Sequence, residues 1–341
     1  MRFLESRDDH FDMCRAFLVV SMIIAHAFES FYRPEFNRNY TAYVTLGFVF
    51  LSGFTVSAIY GQKVGRDPLR YFKRFTKRAL KLFVLYVACN IVAVLLFRDR
   101  LAALEEQPVT RVAASIFLGT NQAVLGLDIL MPIAMTLFIS WFVLASGARK
   151  HCLFLIAVLC ASLCFFELSR TFNYFGVKFT LIGLIGALAG RRVSDLPWDR
   201  ISAKLFMPGV TIVVALFILA YYVNLALLTG KGDIVFSLHL VPTFAMLFLV
   251  YALSNDLRLG QLTSISSVAS ILSQYMLFAY LFHLLLLNVL LLFLPRKGFT
   301  FLATGIIALV VMLVTVISCR VLDRSNRRSL CCSSIYGLVF K

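Results

Sequence analysis

Four ionisable residues mark the first apolar stretch of the chain, CRAFLVVSMIIAHAFESFY at 14–32: Arg15, His26 and Glu29 lie inside it, and Asp12 sits just before it. An α-helix turns about 100° per residue, so positions eleven apart nearly realign. Arg15 and His26 therefore share a face, about 16 Å apart along the axis by the helical rise. Asp12 precedes Arg15 by three residues and Glu29 follows His26 by three, both within helical pairing distance. The four groups form one stripe. Its lower end has a structural reading: Asp12 and Arg15 could pair at the lipid headgroups, with Arg15 snorkelling to the interface. His26 lies past the middle of the span among apolar neighbours, where an ionisable group marks a pathway, a relay or a site. Imidazole takes and returns protons near neutrality, the requirement for a general base. Glu29 could orient that imidazole, or sit in water on the far side.

The elements that must position this stripe are membrane helices. The 341 residues are 60% hydrophobic and only 15% charged, with mean hydropathy +0.87. Soluble domains are about one quarter charged. Ten segments are apolar enough to span a bilayer, which takes roughly 20 residues: 13–32, 42–62, 79–97, 124–146, 151–168, 174–190, 207–229, 235–254, 268–294 and 299–320. Backbone in lipid must satisfy its own hydrogen bonds, and the alternation of barrel strands is absent, so the fold class is all-α, a polytopic helix bundle. With a cytoplasmic N-terminus the inside segments hold 22 Lys and Arg against nine outside. That bias puts both termini in the cytoplasm. No polar stretch is long enough for a separate domain, so residues 1–330 read as one membrane domain with a short tail at 331–341.

The net charge of +16 fits loops facing anionic lipid rather than nucleic acid. The eight cysteines show no metal-ligand or disulfide spacing, so no metal is expected; Cys331 and Cys332 follow a basic tail and could carry palmitate. The N-terminus lacks the basic n-region and cleavage site of a signal peptide, so the first span is expected to stay.

Further candidates lie outside the first span. Residues 63–81 carry eight Lys and Arg against one acid, Asp67. Such a cluster anchors the inside face, and it could also hold an anionic donor. Ser52-Gly53 within the second segment reads first as a close helix contact; no G-x-S-x-G elbow makes Ser52 a nucleophile. Asp128 and His283 are the acceptor-side candidates. Asp128 could instead be an interfacial cap, and His283 a buried residue bonded across helices.

The arrangement D-x-x-R, ten residues, then H, here Asp12, Arg15 and His26, resembles the signature of the acyltransferase-3 family of membrane acyltransferases. GFVFLSGF at 47–54, the basic run RYFKRFTKRALK at 70–81 and YLFH at 280–283 are similar to family segments and follow in the same order. Within the family, FVFLSGFTVSAIYG and KRALKLFVLYVACNIV look most like the branch of glucans biosynthesis protein C, implicated in succinylating periplasmic glucans. Two positions depart from the pattern. Ala16 stands where Gly commonly follows the Arg, and Lys77 stands where Arg is usual and cannot make a bidentate phosphate contact.

The resemblance implies a bacterial inner-membrane O-acyltransferase. A cytoplasmic acyl-CoA, acetyl or succinyl, would dock on Arg74, Lys77, Arg78 and Ser52, with Arg15 assisting. His26 would act as general base on a glycan hydroxyl, or carry the acyl group covalently. Asp12 and Glu29 complete the catalytic set. The rival is a transporter or channel that uses the same charges as a proton or solute path; it lacks the internal repeats and broken-span pairs of such folds. A non-catalytic subunit or receptor would tolerate replacement of Arg15 and His26.

Overall fold

A computed structural model describes residues 9–32, 42–96, 129–145, 175–193, 247, 250, 263–295 and 298–328. Every element among them is an α-helix: α1 (Asp9–Phe31), α2 (Ala42–Arg66), α3 (Pro68–Leu96), α4 (Leu130–Ala145), α5 (Phe175–Val193), α6 (Thr263–Gln274), α7 (Met276–Phe293) and α8 (Phe301–Arg328). Four stretches among the described residues are long and apolar enough to cross a membrane: Phe11–Phe31, Val44–Gly61, Met276–Phe293 and Phe301–Arg328. The protein is an integral membrane protein. Of the expected spans, 79–97 overlaps α3 over 79–96, 124–146 contains α4 and 174–190 overlaps α5 over 175–190. Segments 151–168 and 207–229 lie outside the described residues, as does 235–254 apart from 247 and 250.

Helix ends follow local chemistry. Pro68 opens α3, where its missing N–H is no loss. Asp67 caps it by accepting from the Arg70 backbone N–H at 3.2 Å. Thr300 does the same for α8, accepting from the Ala303 N–H at 3.2 Å. Gly298, two residues earlier, has φ 96°, a conformation that suits glycine. The apolar run 268–294 is not one rod. It divides at Tyr275, where ψ is 25°, into α6 and α7. No Gly or Pro marks the break, and the flanking i→i−4 bonds survive, Tyr275 to Ile271 at 2.9 Å and Ala279 to Tyr275 at 2.8 Å.

The chain forms two compact units, residues 1–47 with 197–340, and residues 48–196 with Lys341; the cut falls inside α2. In the first unit α1 packs against α6, α7 and α8. It is the most enclosed of the three longest apolar stretches there: 56% of it is buried, against 33% for α7 and 22% for α8. The period of α8 explains its exposure. Thr304, Ala308, Val311, Thr315 and Cys319 face inward at helical spacing. Leu302, Ile306, Leu309, Leu313 and Ile317 are exposed along another stripe, the pattern of a lipid-facing helix. At the Phe31 end the unit is closed by aromatic contacts, Phe28 with Phe301 at 4.9 Å and Phe31 with Phe299 at 5.7 Å. The Phe299 N–H also donates to the Phe31 carbonyl at 3.2 Å.

In the second unit the core joins Val56, Val64, Phe75, Ala79, Ala134, Leu137 and Leu144. Trp141 donates its indole N–H to the Pro68 carbonyl at 2.8 Å and stacks near Phe72. Glycines let α2 and α5 approach backbone to backbone. A Cβ added to Gly53, Gly186 or Gly190 would land on a carbonyl oxygen, that of Gly183, Phe50 or Phe54 respectively. This is the small-residue packing of membrane helices.

Candidate active site

The stripe read from α1 is present, and each half of it gains a partner from the other end of the chain. At the lower end Arg15 Nη1 lies 3.4 Å from Asp12 Oδ1. Ser273 of α6 donates to the same Asp12 oxygen at 2.5 Å, and Arg15 Nη1 donates to Ser273 Oγ at 3.3 Å. The Asp12 side chain is 4% exposed and that of Arg15 24%. A carboxylate buried this deeply needs both a counter-charge and a hydrogen bond, and Arg15 and Ser273 supply them. Beyond the helix break, Tyr275 donates to Asp323 Oδ1 at 3.0 Å, and Asn326 donates to the Tyr275 hydroxyl at 3.3 Å. Asp323 also pairs with Arg327 at 3.0 Å. These bonds tie the α6–α7 junction to α8.

At the upper end His26 Nδ1 lies 3.5 Å from Glu29 Oε2. The two side chains are 22% and 40% exposed, so the pair is open to water in part. The His26 ring stacks on His283 of α7, centroids 5.6 Å apart and planes 26° apart. His283 is fully buried, with Tyr280 against its edge at 5.8 Å. Its Nδ1 faces the Ala279 carbonyl at 2.9 Å. A carbonyl only accepts, so Nδ1 carries the hydrogen and Nε2 is the lone-pair nitrogen of the neutral ring. The helix rise keeps the two ends of the stripe about 16 Å apart.

The remaining candidates belong to the second unit. Arg74 and Lys77 are exposed on α3 and Arg78 is half-buried beside them. The Arg74 guanidinium sits 4.9 Å above the Tyr60 ring, a cation–π contact that holds one cation of the run in place. Ser52 donates back to the Phe48 carbonyl at 2.8 Å. The neighbouring Gly53 lies in close contact with the Gly183 carbonyl of α5. Asp128 lies outside the described residues. Among the described residues no group of three or more His, Cys, Asp or Glu is placed to hold a metal ion.

Ser273, Tyr275 and Asp323 are the site residues that sequence reasoning missed. Ser and Tyr inside an apolar run carry no signal of their own, and their partners are 48 and 261 positions away. The available clue was the buried Asp12, which required a donor from elsewhere.

Chemically, the arrangement offers a fixed cation at one end and a carboxylate-oriented imidazole at the other. A family model described as an acyltransferase domain matches residues 8–323. No curated protein and no solved structure matches the chain.

Proposed function

The chain belongs to the acyltransferase-3 family and is a membrane acyltransferase; from that premise we propose that it moves an acetyl or succinyl group from acyl-CoA to a glycan hydroxyl. The observation that carries this reading is His26, set in an apolar span beside Glu29 and in line with Arg15. A CoA thioester is extended, with phosphates far from its reactive carbonyl. Arg15 is suited to attract the anionic part from one end of α1, as Arg and Lys do with phosphate. The family resemblance also implies Arg74, Lys77 and Arg78 of α3 as donor-binding residues.

His26 is the general base. Its Nε2 takes the proton of the acceptor hydroxyl as the oxygen attacks the thioester carbon. The carbon–sulfur bond breaks, the ester forms, and the imidazolium returns its proton to the departing thiolate. Glu29 orients the ring through Nδ1 and faces the positive charge that develops on it. Asp12 and Ser273 hold Arg15 in place. A periplasmic glucan is the acceptor suggested by the likeness of 48–61 and 77–92 to the glucan-succinylating branch.

The test is acyl transfer by the purified protein in nanodiscs, with radiolabelled acetyl-CoA or succinyl-CoA and periplasmic glucan as acceptor. Wild type transfers label and His26→Ala, at equal protein, does not. Full turnover by His26→Ala removes the base role, and no transfer from either thioester removes the donor assignment.

A further inference from the structure

His283 is fully buried, yet its Nε2 has no hydrogen-bond partner among the described residues. Buried polar atoms of native proteins are nearly all paired, and an orphan points to a role or an absent ligand. The partner this nitrogen lacks has a definite chemistry. Nδ1 is committed to Ala279 as a donor, so Nε2 can only accept, and its complement is an O–H or N–H group. The neighbouring imidazole turns its Nδ1 to Glu29 at 3.5 Å. The two rings stack with centroids 5.6 Å apart, which sets His283 against the proposed base.

A monohydric alcohol has one hydrogen to donate. In the proposed reaction that hydrogen goes to His26 as the oxygen attacks, which leaves nothing for His283. We infer that His283 accepts a hydrogen bond from a second hydroxyl of the acyl acceptor, so that the site selects polyols with neighbouring hydroxyls, such as a sugar ring, over simple alcohols. This rests on the acyl-transfer reading with His26 as base. His283 takes no proton in the reaction. It is a specificity-determining residue, set against the base by the stacking of the two rings.

The experiment compares two acceptors with the same alkyl chain, octyl β-glucoside and 1-octanol, using acetyl-CoA and succinyl-CoA and the full chain in nanodiscs. A site built to bond a substrate hydroxyl can reject an analogue lacking it by up to about 10⁵-fold. We expect wild type to favour the glucoside by at least about 100-fold in kcat/KM, a conservative share of that range. His283→Phe keeps a stacking ring and removes Nε2. It should bring the glucoside down to the rate of 1-octanol in the same variant, with the donor KM unchanged. His283→Gln, which offers an acceptor oxygen near the place of Nε2, should keep most of the preference. If His283→Phe does not elute as a monodisperse peak, His283→Leu makes the same test. An unchanged preference in the Phe or Leu variant overturns the inference. Equal wild-type transfer to both acceptors overturns it and leaves the acyl-transfer reading standing. Transfer to neither overturns both.

Discussion

The Ser273 hydroxyl donates to Asp12 Oδ1 across 261 positions of sequence, and Arg15 closes the triangle. Ser273 donates one of the hydrogen bonds that the buried Asp12 carboxylate receives, and a hydrogen bond to a charged group contributes about 1.5–3 kcal/mol. Ser273→Ala should lower stability by about that amount. Asp12→Ala, which removes the ion pair with Arg15 as well as the acceptor of Ser273, should lower it further. Thermal unfolding in detergent checks the order, and the donor KM should rise in both variants.

His26 and Glu29 should separate cleanly in kinetics. Loss of a general base costs about 10²–10⁴-fold, so His26→Ala should reduce kcat within that range. Glu29 is 40% exposed and its pair with His26 spans 3.5 Å. Exposed pairs are worth about 0.2–1 kcal/mol, so Glu29→Gln should slow turnover no more than about fivefold. Steady-state rates at saturating donor decide between these magnitudes.

The glycine contacts of α2 and α5 predict a sharp contrast among Gly→Ala variants. At Gly53 and Gly190 a methyl group meets a backbone carbonyl that has no rotamer to yield. Gly53→Ala and Gly190→Ala should therefore reduce the yield of folded protein. At Gly305 in α8 nothing lies within 4 Å of the added carbon. Gly305→Ala should raise stability by about 0.5–1 kcal/mol through the lower backbone entropy of the unfolded chain. Size-exclusion profiles and melting curves of the three variants provide the check.

The basic run of α3 predicts salt-dependent donor binding. Arg74 and Lys77 are exposed, and attraction between exposed charges is screened over about 8 Å at physiological ionic strength. The KM for acyl-CoA should rise with added salt, and Arg74→Ala with Arg78→Ala should raise it at low salt and flatten that dependence. The kcat at saturating donor should not change. Titration of donor at two ionic strengths makes the comparison.

What could be read in the sequence was local. Asp12 with Arg15 and His26 with Glu29 are each three residues apart, so helical geometry alone brings them together. The apolar spans of α1, α2 and α8 were legible for the same reason, since length and hydropathy reveal a membrane helix without its neighbours. The stack of His283 on His26 was not legible. It joins positions 257 residues apart, and only packing of α7 against α1 creates it. The break at Tyr275 was hidden because hydropathy runs through it without a Gly or Pro. At the break the Tyr275 hydroxyl is held by Asp323 and Asn326 of α8, contacts that hydropathy does not carry. Ser52 is the opposite case. Its sequence neighbourhood read first as a close helix contact, and its hydroxyl donates to the backbone four residues earlier.

The enclosure of α1 by three helices makes the spacing between Arg15 and His26 a matter of counting. A helix in lipid has no loop in which to absorb an extra residue. One residue inserted anywhere in 16–25 would turn His26 by about 100°, off the ring of His283 and towards a different helix, while Arg15 kept its place beside Ser273. A deletion would turn it as far the other way. Substitutions in that interval change packing by degrees, but a change of length by one separates the two ends of the site at once.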